Sequence, residues 1–149
     1  MSTATHPSTR SLAATPALFA VAGAALSVAL TGYGTFKEDN LSGDLPVWLF
    51  GNLPIIAAAT VLVFAVFVRR ALRHRDPAPV ARTSLVLAML AVATIVVFFS
   101  GLPCVFAAGA LCTALAARER AGAWTAVPGV AVALSAVAVA LAVVLAIIG

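Results

Sequence analysis

Residues 84–117 read SLVLAMLAVATIVVFFSGLPCVFAAGALCTALAA, 34 residues without a single charge. How this stretch divides sets the number of helices in the chain. As one straight helix it would be about 51 Å long at 1.5 Å per residue. The hydrocarbon core of a bilayer is only about 30 Å thick, and tilt absorbs only part of such a mismatch. Its middle, FFSGLPC, carries the breakers Gly101 and Pro103, with Ser100 placed to cap a helix start. The stretch therefore divides into two helices, 84–100 and 103–117, turning at Ser100, Gly101 and Leu102. Each is short for a full span, so both should stand near the membrane normal or thin the bilayer around them.

On either side the pattern repeats: long apolar runs with all fourteen Lys, Arg, Asp and Glu between them or in the N-terminal tail. Of the 149 residues, 63% are hydrophobic and 9% charged. A soluble domain carries about 25% charged residues, and a chain this short cannot hide such composition in a core. Lipid is the solvent it fits. The expected fold is all-α, a polytopic transmembrane bundle of five helices forming one membrane domain over 1–149. After a cytoplasmic tail (1–15), the helices cover about 16–33, 46–68, 84–100, 103–117 and 125–148.

Thr15 and Pro16 supply an N-cap and a first helical residue for the first span. A cleaved signal peptide is the rival reading of this span and would leave four helices. Its n-region holds only Arg10, and no clear A-x-A site follows. Asp44 is placed to cap the second span. Pro54 lies inside that span and has no N–H for the carbonyl of Phe50. A kink at Pro54 is the preferred reading; a later start capped by Asn52 is the alternative. Pro128 falls in the first turns of the last span, where proline is tolerated.

The Lys/Arg asymmetry fixes an expected orientation. Segment 69–83 holds Arg69, Arg70, Arg73, Arg75 and Arg82 against Asp76. Segment 118–123 holds Arg118 and Arg120 against Glu119, and the tail holds Arg10. Segment 34–45 is acidic, with Lys37 against Glu38, Asp39 and Asp44. Five crossings put the basic segments on the cytoplasmic side of the inner membrane, with the N-terminus inside and the C-terminus outside. Four crossings, with 84–117 as a single span, would strand Arg118 and Arg120 outside. Tyr33 and Trp48 then flank the outer interface and Trp124 the inner one.

Few residues offer chemistry. Cys104 and Cys112 are eight apart on one expected helix, about 12 Å along its axis, whereas a disulfide needs Cα atoms within about 7 Å. They read as small packing residues. His6 and His74 lie in polar segments, and His74 sits among arginines in RHRD. Glu38, Asp39, Asn40 and Asp44 lack the alternate spacing of a helix–loop–helix calcium loop. No metal or cofactor is expected. The net charge of +4 invites nucleic-acid binding, but the arginines cluster at helix ends and form no stripe interleaved with aromatics. The segment RRALRHRDPAPVAR instead reads as a topology determinant and an anionic-lipid contact through Arg69, Arg70, Arg73, Arg75 and Arg82. Pro77 and Pro79 make it a stiff, extended connector. Small residues recur four apart at Gly23/Ser27, Gly109/Thr113, Gly129/Ala133 and Ala138/Ala142. They read as faces for close helix packing, within the chain or between copies.

Arginine outnumbers lysine eight to one, and Ala and Val dominate, as GC-rich bacterial coding produces. Residues 84–148, with SGLP, CVFAAGALCTALA, ARERAG and VPGVAVAL in order, resemble the C-terminal part of small actinobacterial multi-pass membrane proteins without an assigned function. The resemblance covers under half the chain and implies a membrane domain with no catalytic residue to carry over. The functional expectation is a non-catalytic accessory or scaffold subunit acting through helix packing. Its partners are the bilayer and either a larger membrane complex or a second copy. A small transporter or channel component is the alternative, because broken helices at Pro54 and Gly101–Pro103 are the kind that line transport sites.

Overall fold

Helix α1 (Arg10–Phe36) opens the computed structural model, which describes residues 10–36, 45–46 and 48–148. It starts before Thr15, so the expected cap at Thr15–Pro16 is replaced by a proline inside the helix. The good helix formers Leu12, Ala13 and Ala14 precede it and extend the helix past the lost bond to the Leu12 carbonyl.

Helix α2 runs from Trp48 to Arg73. Pro54 does not break it. Trp48–Asn52 forms a π-helical turn and Leu53–Val61 continues as α-helix, with proline in its first turn. The wider turn falls where Pro54 leaves the Phe50 carbonyl without its usual donor. Asn52 has helical angles (φ −70°, ψ −43°) and makes no side-chain cap bond, so the later-start alternative fails. A second π-helical stretch, Leu62–Val68, has no counterpart in the sequence reading. It closes with the N–H of Arg69 on the carbonyl of Phe64, five residues back. Arg69–Arg73 then finishes the helix.

Segment 69–83 is not a loop. Only His74, Arg75 and Asp76 separate α2 from α3 (Pro77–Ala93). Asp76 is extended (ψ 138°), as a residue before proline must be, and Pro77 and Pro79 stand in the first turn of α3. They start a helix where a stiff extended connector was expected. Helix α3 tightens into a 3-10 stretch, Thr94–Ser100, with Val97 off helical angles (φ −112°, ψ 41°). Gly101 then turns the chain with φ +70°, which costs glycine little. Helix α4 (Leu102–Ala121) follows with Pro103 in its first turn, and Gly122 ends it at φ +70°, the left-handed C-terminal stop. Helix α5 (Ala126–Ile148) closes the chain.

The fold is an all-α bundle of five helices, each long and apolar enough to cross a membrane; no strand occurs among the described residues. The expected shortness of the third and fourth spans disappears. Both recruit charged or proline-bearing residues at their basic ends and reach 21 and 20 residues, which at 1.5 Å per residue is about the core thickness.

Helix α4 is the centre. Eleven of its 20 residues are buried, and it packs against α1, α3 and α5. Lipid supplies no hydrophobic force between helices, so close backbone approach must hold them. A Cβ on Gly23 would fall 2.6 Å from that of Ala108, and one on Gly109 2.6 Å from Cγ1 of Val63. Helix α5 turns Ala131, Ser135, Ala138, Ala142 and Ala146 inward. Three of the four small-residue pairs thus pack inside the chain. The fourth does not: a Cβ on Gly129 would meet nothing within 4 Å, and Ala133 is exposed.

Buried hydroxyls bond back to their own helices. Thr31, Ser84, Thr113 and Ser135 donate to carbonyls three or four residues earlier, so none is left unsatisfied in an apolar interior. Ser27 reaches further, to the carbonyl of Gly101 at 2.7 Å. That contact seats the α3–α4 turn against the body of α1, nine residues or roughly 13 Å before its end. Ile56 of α2 flanks the same glycine.

Candidate functional site

Cations gather at one end of the bundle. Antiparallel threading brings together the C-terminal ends of α2 and α4 and the N-terminal ends of α3 and α5. Arg70 and Arg73 lie in the last turn of α2, and Arg118 and Arg120 in that of α4. Positive charge there is favoured by the unpaired carbonyls of the helix terminus. Arg120 makes that interaction between helices: its Nη2 donates to the carbonyl of Leu72 at 2.9 Å. The Arg118 guanidinium lies 4.8 Å from the ring centroid of Trp124, a cation–π pair of about 0.5–1 kcal/mol at an exposed site.

Two clefts flank the end of α2. The first, of about 500 Å³, lies between α2 and α3 and is lined by Val66, Phe67, Arg70, Ala71, His74, Pro79, Arg82, Thr83 and Val86. The second, of about 480 Å³, lies between α1 and α2 and is lined by Pro16, Ala17, Phe64, Val68, Arg69, Leu72 and Arg73. A third groove, between α3 and the α4–α5 connection, includes Arg82 with Ala117, Ala121 and Thr125.

The structure therefore distributes the five arginines of 69–83. Arg70 and Arg82 line one cleft from its two helices, Arg69 and Arg73 line another, and Arg75 stands exposed in the turn between α2 and α3. His74, read from sequence as an unremarkable solvated side chain, forms part of the first cleft's wall. The bonds of Arg120 and Arg118 were not foreseen. Trp124, two residues past Gly122, was a usable signal for the second, since a glycine stop folds the chain back over the last turn.

Gly101 and Pro103 sit at the α3–α4 turn, where the hydroxyl of Ser100 donates to the carbonyl of Val97 (2.6 Å) and accepts from the N–H of Leu102 (3.5 Å). Cys104 and Cys112 are both buried on α4 and unbridged. No group of three His, Cys, Asp or Glu comes together among the described residues. His6, Lys37, the acidic residues Glu38, Asp39 and Asp44 with Asn40, and the cap expected at Asp44 lie outside the described residues.

Trp48 donates its indole N–H to the hydroxyl of Thr31 at 3.3 Å, pairing α1 with α2 at the end opposite the arginines. Tyr33 is exposed near the same end. No protein-family model, curated protein or solved structure matches the chain, so the resemblance of residues 84–148 to actinobacterial membrane proteins rests on the sequence pattern alone.

Proposed function

We propose that this integral membrane protein is an accessory or scaffold subunit of the inner membrane that acts through helix packing. The observation that carries this reading is the division of its surface. The interior around α4 is closed by Ala, Gly, Val and hydroxyl side chains whose bonding is complete. The outer faces of α2 and α5 remain apolar and unpartnered, with Ile55, Val61, Leu62 and Val66 on one and Val130, Val137, Leu141 and Val144 on the other. The Gly129/Ala133 pair lies on that outer side of α5. The basic end faces the cytoplasm in this reading, since arginine-rich ends are retained inside. Purification in mild detergent with native mass spectrometry tests it. A stoichiometric complex with a larger membrane protein, or a defined oligomer, supports the reading, and a monomer without partners at native expression refutes it.

A transporter or channel component is the second reading. The observation favouring it is the α3–α4 turn, seated below the end of α1 with Val97 off helical geometry. Broken helices at depth line sites in transporters. Saturable binding of a small solute to the purified protein would raise this reading above the first.

A further inference from the structure

We propose that the cleft between α2 and α3 is a binding site for one anionic phospholipid, with Arg70 and Arg82 holding the headgroup phosphate. This goes beyond the accessory-subunit reading and does not depend on it.

The lining is graded along the membrane normal. Arg70 lies three residues before the end of α2, and Arg82 five residues after the start of α3. At 1.5 Å per residue their Cα atoms are about 4.5 and 7.5 Å from the helix ends, so two antiparallel helices present one cation each at nearly one depth. One turn deeper on each helix the wall turns apolar: Val66 is four residues before Arg70, and Val86 four after Arg82. Phe67 completes that level. A phosphate over a hydrocarbon chain is the molecule whose charge follows this order. Free phosphate would use only the upper half, and an apolar helix from a partner would leave two cations against hydrocarbon.

Charge completes the case. Arg70 and Arg82 enter no ion pair among the described residues, whereas Arg120 and Arg118 are occupied by a carbonyl and an indole. Thr83 is engaged with the carbonyl of Pro79, which leaves the two guanidinium groups and the imidazole of His74 as the headgroup donors, with the guanidinium groups supplying the fixed charge. Arginine presents a planar fork that matches phosphate oxygens. The cleft between α1 and α2 is weaker on the same criteria, because Arg69 and Arg73 come from one helix and do not face each other across it.

The full chain in dodecyl maltoside, titrated with phosphatidylglycerol or phosphatidylcholine and observed by native mass spectrometry, tests this. A single retained phosphatidylglycerol, preferred over phosphatidylcholine, is expected. Arg70→Gln with Arg82→Gln should weaken retention roughly fivefold per arginine, the factor that about 1 kcal/mol gives. Arg69→Gln with Arg73→Gln, at positions that line the other cleft, should weaken it less than the Arg70/Arg82 pair does. Val86→Trp, at an exposed position, should weaken retention without altering charge, and inorganic phosphate should not displace the lipid. Equal retention of both lipids, an unchanged Arg70/Arg82 variant, or full displacement by inorganic phosphate would each overturn the proposal. The thermal transition of every variant shows that loss of lipid is not loss of fold.

Discussion

The hydroxyl of Ser27 on α1 lies 2.7 Å from the carbonyl oxygen of Gly101, the residue that turns α3 into α4. The same hydroxyl lies 2.8 Å from the carbonyl of Gly23, four residues back on its own helix. Its one proton serves one acceptor at a time. Ser27→Ala should therefore cost only about 0.6 kcal/mol, the mean for hydrogen bonds between membrane helices. Gly101→Ala should cost more. Alanine at φ +70° is strained by about 1–2 kcal/mol, and its Cβ would come within 2.9 Å of that of Ser27. Unfolding in mixed micelles ranks the two, and a larger loss for Ser27→Ala would mean the turn is held by that bond and not by glycine geometry.

Close approach around α4 gives a sharper contrast. Gly23→Ala and Gly109→Ala should each destabilise by about 1–3 kcal/mol, the usual cost of overpacking, because the added carbon meets a neighbour at 2.6 Å in both. Gly129→Ala should be neutral or up to about 1 kcal/mol stabilising, as alanine prefers a helix. Loss of an oligomer in Gly129→Ala, with an unchanged monomer fold, would identify that open face as an assembly surface.

Five crossings place Asp39 and Glu119 on opposite sides of the membrane. In a background without Cys104 and Cys112, Asp39→Cys should react with an impermeant maleimide in intact cells. Glu119→Cys should react only after permeabilisation. Labelling of both from outside is incompatible with five spans.

Changing Arg69, Arg70, Arg73 and Arg75 together to Glu should produce mixed orientation or low abundance. These residues carry the largest charge bias of the chain, and orientation follows the Lys/Arg asymmetry. Arg70 and Arg73 also sit on the last turn of α2, where glutamate opposes the helix terminus. Normal insertion would assign orientation to other segments.

Replacing both cysteines by alanine should cost about 1 kcal/mol or less per site by the area rule and leave function intact. Both are 2% exposed on one helix, so neither is presented to another molecule. A dimer band on non-reducing gels, removed by reductant, would contradict this.

The break inside residues 84–117 was legible because two elementary constraints converge on it. A 34-residue helix is too long for the bilayer, and Gly101 has a φ that only glycine adopts cheaply. Charge exclusion from the spans made the helix class and the basic end readable in the same way. Helix ends were less legible, since arginines and prolines read as loop markers. Arg69–Arg73 and Pro77–Arg82 are helical because arginine propagates a helix and proline begins one. The sequence rules treat both as departures from the apolar run.

Composition and order along the chain determined by themselves that these residues form apolar helices, that residues 84–117 turn at Gly101, and which ends carry positive charge, because each of these depends on one segment and its solvent. Which face meets which could be decided only in three dimensions. Four small-residue pairs look alike in sequence, yet Gly23 and Gly109 are pressed against neighbouring side chains while Gly129 faces open space. Arg70 and Arg82, twelve positions apart and both exposed, share a cleft only because α2 and α3 pack antiparallel through a three-residue turn. Of the two π-helical turns of α2, the first falls at Pro54 and has that signature in the sequence. The second, Leu62–Val68, has none; it packs against α4, a contact that exists only in the folded bundle.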